Sequence, residues 1–162
     1  MDEIKFANNI VAKAKEMNID DVEVFYNSSK NLDVVWEKGD LQIPKTDLYQ
    51  GFGIRVFKDG STGFSSSNIL NEEEAEKVLK RAVEIAEVTP SDESNVLPEK
   101  DEIDYVEDIV DERNDDIKLV NAVEKGKEFV ESFLNYDKRV KLDSANFSTR
   151  LSKRAIVNSK GI

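Results

Sequence analysis

Carboxylates are the most numerous side chains in this sequence that could do chemistry, and they are densest between residues 101 and 116. Clustered Asp and Glu oxygens can hold Ca²⁺ or Mg²⁺, and two facing carboxylates can act as general acid and base. A calcium loop of the EF-hand type needs a central Gly, which residues 101–116 lack. The pattern favours a solvated acidic segment, with a weak Mg²⁺ or Ca²⁺ site as the minor alternative.

Two residue types are missing altogether, because the 162 residues include no His and no Cys. Their absence excludes an imidazole base, a Ser–His or Cys–His nucleophile, a disulfide, and any zinc or haem site built on His or Cys. Acid–base chemistry is left to Asp, Glu, Lys, Tyr and Arg. No feature of the sequence singles any of them out, so we expect no catalytic, cofactor-binding or metal-ligating residue in this chain.

Glycines and aromatic residues offer two further candidates for a binding site. Gly51 and Gly53 resemble the start of a dinucleotide fingerprint, but a third glycine is missing and a strand follows where a helix should begin. They are better explained by close packing of a backbone or of a large side chain such as Trp36. Aromatic residues at strand spacing favour a core over a ligand groove. Four are concerned here: Tyr26, Trp36, Tyr49 and Phe57.

The charge distribution is uneven. Residues 71–135 carry 21 acidic and 8 basic side chains, whereas residues 136–162 carry 7 basic and 2 acidic ones. The net charge of −11 argues against binding to nucleic acid or to anionic lipid. The basic residues at the end favour docking on an acidic protein surface, with an RNA-binding ribbon as the alternative. An acidic start and the lack of a long apolar run indicate a soluble, cytoplasmic protein.

Hydrophobic periodicity predicts an α+β fold in which helices pack on an antiparallel meander. Helical spacing runs from Ile4 to Met17 after a cap at Asp2, and again after a cap at Asn71. Between these helices the period is two. The predicted strands and turns are a strand over 22–26, a turn over 27–31, a strand over 32–36, a turn at 38–40, a short strand ending at Pro44, a strand over 51–57, a turn at Asp59-Gly60 and a strand over 62–67.

The remainder of the chain predicts a second, incomplete domain. Two prolines and many charges mark residues 89–102 as a connector, so we expect domains over 1–88 and 103–162. The second would open with an extended segment over 103–111. A helix capped by residues 114–116 and a β-hairpin between residues 140 and 158 would follow. Gly126, inside that helix, suggests the close approach of a neighbour.

Nine short stretches of this chain occur in the order found at the start of TldD/PmbA proteins, once called modulators of DNA gyrase. They are Val22–Tyr26, Trp36–Leu41, Gly51–Val56, Asp59-Gly60, Gly63-Phe64, Ser67-Asn68, Ala86–Pro90, Leu97-Pro98 and Ala155–Gly161. The sequence thus resembles the TldD/PmbA family over nearly its whole length. The Thr89-Pro90 connector resembles the PmbA (TldE) side slightly more.

The resemblance implies a cytosolic peptidase system of two subunits. In it, a TldD-type subunit holds zinc on a His-Glu-x-x-x-His helix, and a PmbA-type partner lacks that site. Such systems degrade unfolded peptides and remove leader peptides. This chain has no His to form the motif, so the zinc belongs to another part of the system and no activity is expected of this chain alone.

The resemblance therefore predicts a non-catalytic N-terminal segment that packs on the peptidase body or on a partner subunit and helps to enclose extended peptides. A free-standing α+β protein- or peptide-binding module is the alternative. The residues that carry the family-like structural motif are Trp36, Gly39, Gly51, Gly53, Arg55, Asp59, Gly60, Gly63, Phe64, Asn158 and Gly161.

Overall fold

The computed structural model describes residues 2–19, 21–101 and 106–162. Three α-helices and five β-strands follow one another in these ranges. In chain order they are α1 (Glu3–Glu16), β1 (Asp21–Glu37), β2 (Asp40–Leu41), β3 (Lys45–Lys58), β4 (Ser61–Ser67), α2 (Glu72–Val88), α3 (Leu119–Leu134) and β5 (Ser144–Asn158). The strands form one sheet in the order β2-β1-β3-β4, and β5 also pairs with β1. This confirms the α+β class.

Side chains cap both helices of the first half, as their sequences predict. The Asp2 carboxylate accepts a hydrogen bond from the Lys5 N–H at 3.0 Å, and the Asn71 amide oxygen accepts one from the Glu74 N–H at 2.7 Å. Each bond satisfies an N–H that has no partner inside its helix. Glu72, Glu73 and Glu74 place negative charge beside the positive end of the α2 dipole.

Two long strands, β1 and β5, lie where the sequence predicts a turn over 27–31 and a hairpin between residues 140 and 158. Residues 27–31 were expected to turn, but they continue β1 without a break. The hairpin expected between residues 140 and 158 is wrong as well, because β5 is a single strand of 15 residues. Polar side chains in the middle of β1 find partners on distant segments, and this favours an extended strand over a local turn. Thus the Asn31 amide oxygen accepts a hydrogen bond from Arg150 at 2.9 Å.

The start of the second half also differs from expectation. The predicted extended segment over 103–111 falls partly outside the described residues, and residues 106–111 form no strand. Asn114 lies in a short 3₁₀ turn, Glu112–Asn114, so it does not cap a helix. Helix α3 begins later, at Leu119, and Lys118 precedes it without a side-chain cap.

The chain divides into two compact units, each built from separate stretches of sequence. The first unit comprises Met1–Ser28, Gln50–Tyr105 and Lys153–Ile162, and the second comprises Ser29–Tyr49 and Val106–Ser152. Sixteen buried apolar side chains form the core of the first unit, where α1 and α2 pack on β1 and β3. Five form the core of the second unit: Leu32, Val34, Trp36, Ala122 and Val130. The domain boundaries at 88 and 103 stay a prediction.

Candidate functional site

The described acidic residues between 101 and 116 take part in ion pairs. Within the described residues, no group of three or more Asp or Glu side chains is close enough to hold a metal ion. Asp111 binds the Arg113 guanidinium at 2.7 Å, and hydrogen bonds from Arg113 hold the pKa of the Asp111 carboxyl below its ordinary value. Asp115 accepts from the Lys30 ammonium at 3.2 Å. These carboxylates serve local ion pairs.

Arg55 lies on β3 in the first unit and is held by two neighbours. Its guanidinium binds the Glu23 carboxylate of β1 at 2.6 Å and lies 5.2 Å from the centre of the Phe57 ring. The first contact is a charge-assisted hydrogen bond and the second a cation–π contact. Arg55 therefore ties β1 to β3, and its charge is already compensated.

Two motif glycines make room for neighbours in the first unit. A Cβ on Gly53 would lie 2.7 Å from the Phe64 ring, which covers this glycine from β4. A Cβ on Gly63 would lie 1.8 Å from the Ala82 carbonyl oxygen of α2. Gly53 thus accepts an aromatic side chain, and Gly63 lets the α2 backbone approach the sheet. The expected partner of the β3 glycines, Trp36, does not fill this role.

Trp36 instead packs against Gly126 in the second unit. A Cβ on Gly126 would lie 1.9 Å from the far end of the Trp36 ring. This confirms that Gly126 admits a close neighbour, and it gives β1 and α3 a shared contact. Trp36 is buried, so its ring belongs to the core of this unit.

Both tight turns of the motif have the backbone conformation that their residues predict. Asp59 and Gly60 have φ values of 50° and 76°, and Lys38 and Gly39 have values of 52° and 93°. Two successive positive φ values suit the type I′ turn of a two-residue hairpin. The Gly60 carbonyl also accepts from the Asp92 N–H at 2.9 Å and from the Asn95 amide at 2.8 Å. This turn therefore anchors the connector.

Asn158 organises the end of β5. Its buried amide oxygen accepts hydrogen bonds from the N–H groups of Lys160, at 2.9 Å, and Ile162, at 3.0 Å, while its NH₂ donates to the Pro98 carbonyl at 3.2 Å. Gly161 completes this turn with a φ of 103°. The segment thus joins the connector to the end of β5.

Ser159 fastens the same turn to the start of β1. Its N–H donates to the Val22 carbonyl at 2.9 Å, and its hydroxyl oxygen accepts from the Val22 N–H at 3.1 Å. The Lys160 ammonium binds the Asp21 carboxylate at 2.9 Å. The stretch Asn158–Gly161 therefore holds the end of β5 against the start of β1 within the first unit.

The four aromatic residues weighed as a groove are distributed between two cores and the surface. Tyr26 and Phe57 are buried in the first unit, and Trp36 is buried in the second. Tyr49 is exposed on the second unit. The core interpretation therefore holds for three of the four.

Three of the seven basic side chains at the end of the chain are ion-paired. Lys153 pairs with Glu3 at 3.8 Å, Lys160 with Asp21, and Arg139 with Asp137 at 2.8 Å. Hydrogen bonds from Arg139 hold the pKa of Asp137 below its ordinary value. These three pairs reduce the charge available to an RNA-binding ribbon.

A shallow groove of about 320 Å³ lies between α1 and α2 of the first unit. Its floor is formed by apolar side chains that include Phe6, Ile10 and Leu79, and its rim carries three carboxylates, Glu16, Glu72 and Glu76. Two of them are ion-paired, Glu16 with Lys13 at 3.2 Å and Glu76 with Lys80 at 2.7 Å.

Strand edges offer the most extended backbone for a partner. β4 pairs with β3 only from Phe52 onward, so it leaves the preceding residues of β3 without this neighbour. Among the described strands, β5 pairs with β1 alone. Unpaired N–H and C=O groups along a strand can bind another extended chain.

Sequence reasoning missed one surface. Phe129 and Phe133 belong to a broad apolar stripe along the sequence of α3, yet both are exposed. The width of that stripe could have indicated the exposed surface. A single neighbouring element covers only one side of a helix, so part of a wide apolar stripe is left exposed.

Comparison with known proteins gives a family match and a matching fold. Residues 22–86 match the family model described as PmbA/TldA metallopeptidase domain 1. A metalloprotease of Methanocaldococcus jannaschii is 27% identical over 88% of this chain, and the match covers 32% of that protein. Within the described residues, no helix is long and apolar enough to cross a membrane.

Solved structures share the fold along nearly the whole chain. TldE from Thermococcus kodakarensis matches with a TM-score of 0.84 and 20% identity, over 96% of this chain and 35% of that one. A candidate modulator of a DNA gyrase from Thermotoga maritima matches with a TM-score of 0.81 and 21% identity, over 98% of this chain and 36% of that one. The chain spans about a third of the length of these relatives. The family model over residues 22–86, the curated relative and the shared fold thus agree that this chain is similar to the N-terminal third of TldD/PmbA proteins.

Proposed function

We propose that this chain is a non-catalytic N-terminal segment of a cytoplasmic TldD/PmbA-type peptidase system. The observation that carries the proposal is chemical: a chain whose residues 22–86 match a metallopeptidase domain model has no His and no Cys, the usual nitrogen and sulfur ligands of zinc. Carboxylates alone do not replace them, since the described residues offer no cluster that could hold a metal. The residues present do not fit a zinc site.

In this proposal the chain packs on the peptidase body or on a partner subunit and helps to enclose an extended peptide. The free edges of β5 and of the first half of β3 support the second role, because a peptide can add to a strand edge through backbone hydrogen bonds alone. Backbone recognition suits substrates of varied sequence, since side chains contribute little to it.

Two measurements test the proposal. The purified chain, supplied with Zn²⁺ and a fluorogenic peptide, should release no product, and it should co-purify from its source organism with a TldD/PmbA-type polypeptide that contains His-Glu-x-x-x-His. Zinc-dependent hydrolysis by the isolated chain would refute the non-catalytic role. A monomer that co-purifies with no such polypeptide would refute the assignment to a peptidase system.

A free-standing binding module is the second candidate. It is favoured by the first unit, whose sixteen-residue core is large enough to fold without a partner. This candidate predicts a stable monomer that binds extended peptide by itself. A peptide methylated on alternate backbone nitrogens should lose that binding, because it can no longer donate hydrogen bonds to a strand edge.

A further inference from the structure

Helix α3 of the second unit buries only one flank. Ala122, Gly126 and Val130 repeat every four residues and are buried, with Gly126 against the Trp36 ring. This flank closes the small core of the unit. The spacing keeps these residues in line because a helix advances 100° per residue.

The neighbouring flank of α3 is aromatic and exposed. Phe129 and Phe133 lie one helical turn apart, with 58% and 44% of their surface exposed. Tyr136, directly after the helix, is 87% exposed. We call these three residues the aromatic flank. It borders the buried flank, since Phe129 is three residues from Gly126 and Phe133 is three residues from Val130.

The second unit has more apolar surface than its core can bury. Among the described residues, twelve of the twenty exposed large hydrophobic side chains belong to it, against five buried ones in its core. The first unit has the opposite balance. Contiguous exposed apolar surface on a folded protein marks an interaction site. The aromatic flank is the part of this surface that continues the core.

Charge indicates what covers the aromatic flank. Lys125 lies on the same side of α3 as Phe129, four residues before it, and is exposed. A facing segment would therefore be apolar at its centre, with a carboxylate opposite Lys125. A second copy of this chain fits poorly, because it would bring further lysines to the interface and add to a net charge of −11.

We infer that the aromatic flank is the docking surface for the C-terminal portion of a TldD/PmbA-type polypeptide. This inference rests on the proposed function and names the surface that function uses. Relatives that share the fold are about three times as long as this chain, so they contain the mass needed to cover such a surface. Burial of the flank would extend the core around Trp36, in which five side chains are buried.

The binding test uses a defined probe, the C-terminal portion of the Methanocaldococcus jannaschii metalloprotease that lies beyond the part matched by this chain. Replacing both exposed phenylalanines, Phe129→Glu with Phe133→Glu, should weaken binding of this probe at least about tenfold. The matched control is Ile4→Glu with Val88→Glu, which places two glutamates on exposed helical positions of the first unit. The control should bind within about twofold of the unaltered chain.

A cross-linking measurement keeps the inference testable if the double variant folds poorly. Photoreactive benzoylphenylalanine at Phe133 should cross-link to the probe, and the same group at Val88 should not. Cross-links between copies of this chain, or equal yields at both positions, would overturn the inference.

The two proposals fail in different ways. If the probe binds but neither phenylalanine affects binding, the docking surface is wrong and the proposed function stands. If the unaltered chain does not bind the probe at all, the packing role in the proposed function fails together with the inference.

Discussion

Gly63 lies where β4 passes beneath α2, and its missing side chain lets the two backbones meet. A Cβ at this position would lie 1.8 Å from the Ala82 carbonyl oxygen and 2.5 Å from the Ala86 nitrogen. Both atoms belong to the helix backbone, so relief would require α2 to move. Gly63 therefore sets the distance between helix and sheet in the first unit.

Replacing Gly63 with alanine should destabilise the chain by at least about 2 kcal/mol, because overpacking displaces a whole helix. Urea unfolding followed by circular dichroism measures the loss. Ser66→Ala, at an exposed position of the same strand, is the control and should change the free energy of unfolding by less than about 0.5 kcal/mol. Equal stability of the two variants would contradict the close contact.

Asn158 illustrates a polar residue that serves structure. Its side chain makes three hydrogen bonds while buried, two of them to the turn that fastens β5 to β1 and one to the connector. A buried polar group left without its partner costs more free energy than the bond itself contributes. Its place in the family-like motif is therefore explained by the fold.

Asn158→Ala should lower the free energy of unfolding by about 2 kcal/mol, because it leaves two N–H groups and the Pro98 carbonyl without a partner. Thermal and urea unfolding measure the change. Asn146→Ala, at an exposed position of the same strand, should be nearly neutral. A neutral Asn158→Ala would show that water replaces these bonds.

At the scale of elements, we expect the stability of α2 to depend on ion pairs as well as on its N-terminal cap. Hydrogen bonding and attraction from Lys77 lower the pKa of Glu73. Lys80 does the same for Glu76, and Lys13 adds a smaller contribution from α1. A carboxyl whose pKa is lower in the folded state stabilises the fold above its unfolded pKa. That contribution disappears as the pH falls through the folded pKa.

The pH dependence of α2 can therefore be tested with Lys77→Gln and Lys80→Gln combined. At pH 7 this variant should be slightly less stable than the unaltered chain, because the carboxylates lose their partners. The difference should shrink as the pH falls below about 4.5, the ordinary pKa of a Glu, and should be lost once the pH has passed the lowered pKa of both carboxyls. A difference that stays constant between pH 7 and pH 3 would mean that these pairs contribute nothing.

At the scale of the whole molecule, the two units differ in how much apolar surface they bury. The first unit has sixteen buried apolar residues in its core, and the second has five. Local stability follows the extent of buried apolar contact. The exposed aromatic flank of α3 belongs to the less stable unit, as expected of a surface that is completed by a partner.

The second unit should accordingly unfold first. Trp36 is the only tryptophan of the chain and lies in the core of this unit, so its fluorescence reports on the unit directly. Its emission should shift to longer wavelength at a lower urea concentration than the loss of hydrogen-exchange protection in α2. Coincident midpoints would show that the chain unfolds as one cooperative body.

Local sequence determined the elements whose signals lie within a few residues of each other. Asp2 and Asn71 cap their helices through bonds that span three residues, and Asp59-Gly60 turns because these residue types accept positive φ values. Composition by itself excludes a zinc site built on His or Cys, because the chain contains neither residue. The ordered family-like stretches likewise predicted the resemblance to TldD/PmbA proteins, which the family model over residues 22–86 confirmed.

Tertiary structure alone decided the features whose partners are distant in sequence. Residues 27–31 have the polar composition of a turn, yet β1 runs through them, because Asn31 meets Arg150 and Lys30 meets Asp115. The hairpin predicted between residues 140 and 158 is likewise a single strand, β5. The sequence of α3 has a broad apolar stripe, of which Ala122 and Val130, on the flank facing Trp36, are buried while Phe129 and Phe133 are exposed. Local pattern shows that a surface is apolar, and only the packed chain shows whether anything lies against it.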